Sequence, residues 1–184
     1  MMRALAIAVL LMLAVAAEAT VILPIEFREL VTTSPVIVHG RVTDARSIFV
    51  DDRRSVETFV TVAVDEYLKG NLGEFVTIRV PGGDAGRYRT VFVGAPRFER
   101  GDEVVLFLKT GVGRIPVIAG LNQGAFRVLA DPSTGRRMVT TPVIASRGGE
   151  TPERIVRGDP ARRPIPIEAF RDAVRQVIAE GSIR

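Results

Sequence analysis

Val56-Glu57-Thr58-Phe59-Val60-Thr61-Val62-Ala63-Val64-Asp65-Glu66 is the most regular alternation in the chain. Val56, Thr58, Val60, Val62 and Val64 point to one side; Glu57, Thr61 and Asp65 point to the other. Successive side chains leave a strand on opposite faces, so this period of two in β-branched residues predicts a strand with one buried face. Upstream, residues 36–45 repeat the pattern, with Val36, Val38, Gly40 and Val42 on one face and His39, Arg41 and Thr43 on the other. Downstream, Lys69-Gly70-Asn71-Leu72-Gly73 is a glycine-bearing loop that suits a hairpin into a strand at residues 75–80.

Residues 104–108 are apolar on both faces, as a central strand requires. Shorter candidates cover residues 90–93, 116–119, 125–130 and 138–143. Turn sequences separate them: Pro81-Gly82-Gly83-Asp84, Gly94-Ala95-Pro96, Arg100-Gly101-Asp102 and Asp131-Pro132-Ser133-Thr134-Gly135. Strand follows strand without intervening helices, which argues against a βαβ fold and for an antiparallel sandwich or barrel over residues 20–145.

Helices are expected only at the ends. Pro24 suits a first helical turn, Phe27, Leu30 and Val31 share a helical face, and Ser34-Pro35 stops the helix. Residues 146–165 are polar, rich in glycine, proline and arginine, and aperiodic, which reads as a loop or linker. A helix over residues 166–181 carries Ile167, Phe170, Val174, Val177 and Ile178 as one stripe, with Gly181 at its stop. Its polar face balances Glu168, Asp172 and Glu180 against Arg171 and Arg175, which predicts docking on the barrel rather than on a membrane surface.

Residues 1–19 read as a signal peptide. Arg3 precedes an apolar run from Ala4 to Ala17, and Ala17-Glu18-Ala19 offers small residues for cleavage before Thr20. The run is shorter than the ~20 residues of a spanning helix. The expectation is an exported protein, in a bacterial periplasm, at the cell surface or outside the cell, with no membrane span after cleavage. There is no cysteine, so thiol nucleophiles, thiolate zinc sites and iron–sulfur clusters are excluded.

The net charge is +4, and Lys69 and Lys109 are the only lysines. An arginine bias follows from a GC-rich genome, or serves anionic polymers and lipids through Arg53, Arg54, Arg87, Arg89, Arg136 and Arg137. Nucleic acid is not expected as a partner, because the arginines are scattered and there are no tryptophans and only two tyrosines to stack bases.

Catalytic signals are weak. His39 is the only histidine, too few for a histidine zinc site; no Gly-x-Ser-x-Gly elbow accompanies it, and its strand position predicts a solvated side chain. Asp51-Asp52 and Asp102-Glu103 fall in expected turns, where carboxylates are solvated. Asp84 and Asp131 match no known calcium-loop spacing. A pocket gathering Asp44, Asp65, Glu66, Asp84 and His39 would favour an enzyme. The expectation is otherwise no catalytic residue, no metal and no cofactor.

Pro81-Gly82-Gly83-Asp84-Ala85-Gly86 lacks the Gly-Lys-Ser/Thr of a phosphate loop and has no helix after it, so a tight turn is the simpler reading. The alternative is a rim loop that touches a protein partner through Pro81, Gly82, Gly83, Asp84, Arg87 and Arg89.

Ser34-Pro35-Val36-Ile37-Val38-His39-Gly40-Arg41-Val42-Thr43 resembles the first barrel strand of netrin-like modules, and Thr61-Val62-Ala63-Val64-Asp65-Glu66-Tyr67-Leu68-Lys69-Gly70 resembles their next strand. Residues 81–83 and 94–108 are similar to stretches of bacterial secreted proteins with the same opening. The resemblance spans residues 30–128 and implies an OB-like Greek-key barrel related to tissue inhibitors of metalloproteinases. It also suggests a secreted metalloprotease as partner. Those inhibitors place an N-terminal cysteine on the protease zinc; this chain has none, so that mechanism does not carry over. The expected function is a non-enzymatic, secreted protein-binding module, accessory to or inhibiting a protease.

Overall fold

The computed structural model describes residues 25–50, 55–140 and 163–181. The signal-peptide, Asp51-Asp52, Arg53 and Arg54 readings, and most of the linker reading, lie outside those residues. Helix α1 (Phe27–Thr33) leads into β1 (Val36–Val50), β2 (Ser55–Lys69) and β3 (Phe75–Pro81). A small hairpin follows, β4 (Gly83–Ala85) and β5 (Tyr88–Thr90), and then β6 (Glu103–Thr110), β7 (Pro116–Ile118), β8 (Ala125–Ala130) and β9 (Arg137–Thr140). The two-residue β10 (Ile165–Pro166) runs into helix α2 (Ile167–Gly181).

Five strands close a ring. β1 pairs with β2 along its whole length, and residues 36–41 also pair with β6, so its first half has a neighbour on each side. β2 pairs with β3, β3 with β7, and β7 with β6. The order is OB-like, and the fold is mainly β with a short first helix and an amphipathic last one, as the sequence predicts. One pairing departs from an all-antiparallel sheet: β3 runs parallel to β7, in register at Arg79 and Val117. Beyond Ile118 the chain makes a 3₁₀ turn at Leu121–Gly124 and continues as β8 on the same partner strand, β6. β7 thereby closes the ring, while β8 carries β9 and β10 outside it.

β6 separates two cores. Val104, Leu106 and Leu108 face the ring interior with Val38, Val42, Val60, Val62, Val76 and Ile78. Val105 and Phe107 face outward, into a second core with Leu30, Val31, Phe126, Val139 and the stripe of α2. This is why residues 104–108 are apolar on both faces. Ile167, Phe170, Val174 and Val177 are buried and Ile178 is half-buried, so the helix docks as expected. Phe170 sits 5.6 Å from Phe27, 6.3 Å from Phe107 and 5.0 Å from Phe126 between ring centres. Lys69 closes α1 against β2 by donating to the carbonyls of Val31 (2.9 Å) and Thr32 (3.1 Å) at the helix C-terminus. Burial holds its ammonium below the usual lysine value.

Three further expectations change. Residues 91–93 are not a strand; β5 stops at Thr90, because nothing pairs with the chain beyond it. The linker reading extended to residue 165, but Ile165 pairs with Val139 and Pro166 with Met138. Finally, residues 81–86 are not one tight turn, since Pro81 ends β3 and Gly83 already begins a hairpin. Among the described residues, no helix is long and apolar enough to cross a membrane.

Candidate functional site

The hairpin β4–β5 folds over the far ends of β1 and β2 through a chain of hydroxyls. The Asp84 amide donates to Ser47 Oγ (3.3 Å), Ser47 Oγ and Thr58 Oγ1 lie 2.9 Å apart, and Thr58 Oγ1 donates to the Gly82 carbonyl (2.7 Å). Each hydroxyl has one hydrogen, so the proton spent on Gly82 makes Ser47 the donor to Thr58. The crossing is close enough to demand glycine. Gly83 has φ +139°, and a Cβ there would lie 2.3 Å from both Ser47 Oγ and Thr58 Oγ1.

Beneath the hairpin, the mouth of the ring holds a pocket of about 290 Å³. Ala45 and Ser47 of β1, Thr58 of β2, the kink at Pro81, Gly82 and Gly83, and Phe98 of the loop before β6 line it. A smaller, mainly apolar hollow of about 230 Å³ lies beside it and shares Val80, Pro81 and Pro96 as a common wall.

Above the pocket stands an apolar row in water. Tyr88 is 53 %, Val91 70 %, Phe92 50 % and Val93 73 % exposed. Tyr88 meets Phe49 edge-on at 5.7 Å, and the Arg87 guanidinium lies 5.1 Å from the Tyr88 ring centre. The loop carrying this row is fixed at its feet. The Asn122 amide donates to the Gly94 carbonyl (2.9 Å), and the Glu99 amide donates to Asp102 Oδ2 (2.9 Å). Arg127 binds the same Asp102 oxygen at 2.6 Å and also donates to the Arg97 carbonyl.

The sequence-predicted contact residues separate into two groups. Pro81, Gly82, Gly83 and Asp84 line the pocket. Arg87 and Arg89 sit outside it on the exposed hairpin, Arg89 3.4 Å from Asp84 and Arg87 donating to Tyr88 Oη at 3.0 Å. Among the described residues, the arginines proposed for anions do not form one group. Arg137 pairs with Glu103 at 3.2 Å, and Glu103 faces Arg41. Five residues of β1 separate Arg41 from Ser47 under the hairpin, six steps or about 20 Å of extended chain.

His39 is the main correction. It is 1 % exposed, not solvated, because α2 covers that face of β1. Its Nε2 lies 2.8 Å from Glu103 Oε1, and Arg171 Nη2 lies 3.3 Å from Nδ1. A guanidinium only donates, so Nδ1 accepts and the hydrogen on Nε2 goes to Glu103. Glu103 is likewise no turn carboxylate: it opens β6, is mostly buried, and also binds Arg41 and Arg137. Arg171 and Arg175 each reach Glu66 at 2.9 Å. This polar cluster fastens α2 to the ring, and both His39 nitrogens are engaged within it.

Of the acidic and histidine candidates for an enzyme pocket, only Asp84 lines the rim pocket; His39 and Glu66 belong to the cluster under α2, on the other side of β1. Among the described residues, no three His, Cys, Asp or Glu side chains are grouped to hold a metal ion. Asp131 instead organises its own turn. Its Oδ1 accepts from Ser133 Oγ at 2.5 Å, from the Ser133 amide at 2.8 Å and from the Thr134 amide at 3.0 Å, holding the carboxyl below its ordinary value.

The sequence reading missed the exposed row, since Val91-Phe92-Val93 read as a strand. Its signal was three apolar residues in a row, Val91-Phe92-Val93, with no polar residue among them, running directly into the Gly94-Ala95-Pro96 turn. The chain matches no protein-family model, no curated protein and no solved structure.

Proposed function

We propose that the protein is an exported, non-enzymatic binding module that holds another protein at the rim formed by the β4–β5 hairpin and residues 91–99. The exposed row of Tyr88, Val91, Phe92 and Val93 beside a formed pocket carries this reading. Exposed apolar residues scattered singly are ordinary; consecutive ones rimmed by polar groups mark interaction sites. Aromatic residues with an arginine at hand are the common anchors of such surfaces. The netrin-like resemblance makes a secreted metalloprotease the first partner to test, as its accessory protein or its inhibitor.

The test is capture from the native secretome by the immobilised chain and by a Val91→Asp/Val93→Asp variant, at low and high salt. Both side chains are solvent-facing, so the variant keeps its thermal midpoint within a few degrees. The expected result is one protein retained by the parent at high salt and reduced at least tenfold on the variant. Equal capture by both would refute the rim as the binding surface. Broad capture that disappears at high salt would favour instead an anionic polymer or lipid held by surface arginines.

A further inference from the structure

Past its pairing with β6, β1 runs on beyond the closed part of the ring with one edge uncovered. β6 accompanies β1 only from Val36 to Arg41, where Arg41 faces Glu103. One residue further, the Val42 amide donates to the Asp102 carbonyl and the Val42 carbonyl accepts from the Gly101 amide, each at 2.8 Å. After Thr43, which has no partner in the register with β2, the strand continues to Val50. Over residues 43–48 its backbone bonds to β2, and among the described residues no backbone hydrogen bond reaches the opposite edge. The edge is open to water, with Ala45, Arg46 and Ile48 exposed.

This edge borders the pocket, whose wall includes Ala45 and Ser47. The alternation of a strand sends Asp44, Arg46 and Ile48 to the other face. Among the described residues, no ion pair involves Arg46. A backbone edge with donors and acceptors open to solvent is a template for another extended backbone. The pocket, at about 290 Å³, is at or below the lower end of small-ligand sites and suits one or two side chains of such a segment.

We infer that residues 43–48 of β1 accept an extended segment of the partner protein as an added strand. The segment sends alternate apolar side chains into the rim pocket and sets a carboxylate opposite Arg46. The inference rests on the reading of the rim as a protein-binding surface and specifies what that surface takes. Main-chain hydrogen bonds supply affinity in this mode, and the side chains at alternate positions supply selectivity. Arg46, which pairs with no described carboxylate, contributes an opposite-charge pair across the two strands.

The experiment pans a phage-displayed library of random linear dodecapeptides against the full chain. The best enriched peptide is synthesised in three forms: unmodified, N-methylated at every second residue in one register, and N-methylated in the other. Fluorescence anisotropy gives each Kd, and amide exchange by NMR locates the contact. Strand addition predicts peptides of alternating apolar and polar residues. One methylation register weakens binding at least fiftyfold, while the other changes it less than fivefold. Residues 43–48 contain the newly protected amides, and Arg46→Glu weakens binding about tenfold.

Equal tolerance of both registers, or protection confined to other residues, would overturn strand addition. A library that yields no binder would overturn it as well. The rim reading is judged separately by the Val91→Asp/Val93→Asp capture experiment. Loss of capture there together with a failed peptide experiment leaves a protein-binding rim that does not take strands. Unchanged capture together with confirmed strand addition places binding on the β1 edge alone.

Discussion

Phe170→Ala tests whether the two cores are one structure. Phe170 is 3 % exposed and stands against Phe27, Phe107 and Phe126. Truncating a buried phenylalanine costs about 3–5 kcal/mol through lost transfer energy and the cavity left behind. Three aromatic neighbours within 6.3 Å place this site toward the upper half of that range, about 4 kcal/mol. Urea denaturation followed by circular dichroism measures it. With a slope near 2 kcal/mol/M, the midpoint falls by about 2 M. Because β6 presents Phe107 to one core and Leu106 and Leu108 to the other, the loss is felt by the whole ring, so the transition stays single and keeps its slope. Two separate transitions, with the ring midpoint unmoved and only helical signal lost early, would refute the argument. So would a total loss under about 1 kcal/mol.

Two more outcomes follow from the polar contacts. Glu103→Leu leaves the buried Nε2–H of His39 without its acceptor and releases Arg41 and Arg137, so it costs about 2–4 kcal/mol. The double variant His39→Leu/Glu103→Leu loses clearly less than the sum of the single losses; a double-mutant cycle additive within about 0.3 kcal/mol would disprove the coupling. At the other end of α2, the Arg28 guanidinium, 2.5 Å from Glu180, and then Gln176 hold the Glu180 carboxyl below its ordinary value. A carboxyl lowered in the folded state stabilises above its unfolded value, and that contribution is lost as pH falls through the folded one. The parent therefore melts above Glu180→Gln at about pH 7, and the gap closes toward about pH 3; a gap that widens on acidification would contradict the assignment.

The ring was legible because its interior depends on local periodicity. Val60 and Val62 declare their inward face by alternation with polar neighbours, and residues 104–108 declare both faces by having no polar residue. What periodicity cannot convey is which element covers the second face of a strand. His39 lies opposite the ring core, and the pattern alone marks that face as polar and therefore solvated. It is buried because Arg171, 132 residues later, brings α2 down over it. The parallel contact of β3 with β7 is invisible for the same reason, since it depends on ring closure between segments that carry no signal for each other.

The rim shows the opposite failure. Val91-Phe92-Val93 has the composition of a strand yet stays half or more exposed, which forgoes much of the free energy that burial would give. Polar contacts at its feet secure the loop. The hydroxyl pair Ser47 and Thr58, the glycines at 82 and 83, the Asn122 bond to Gly94 and the Asp102–Arg127 anchor hold the hairpin and the loop in place from below. A loop whose geometry is secured by polar contacts at its feet can carry polar residues at its tip without structural loss. Phe92 and Val91 help to wall the pocket, yet Val91 and Val93 remain 70 % and 73 % exposed, and apolar side chains left in water on a loop secured elsewhere are the reason for proposing a partner at this rim.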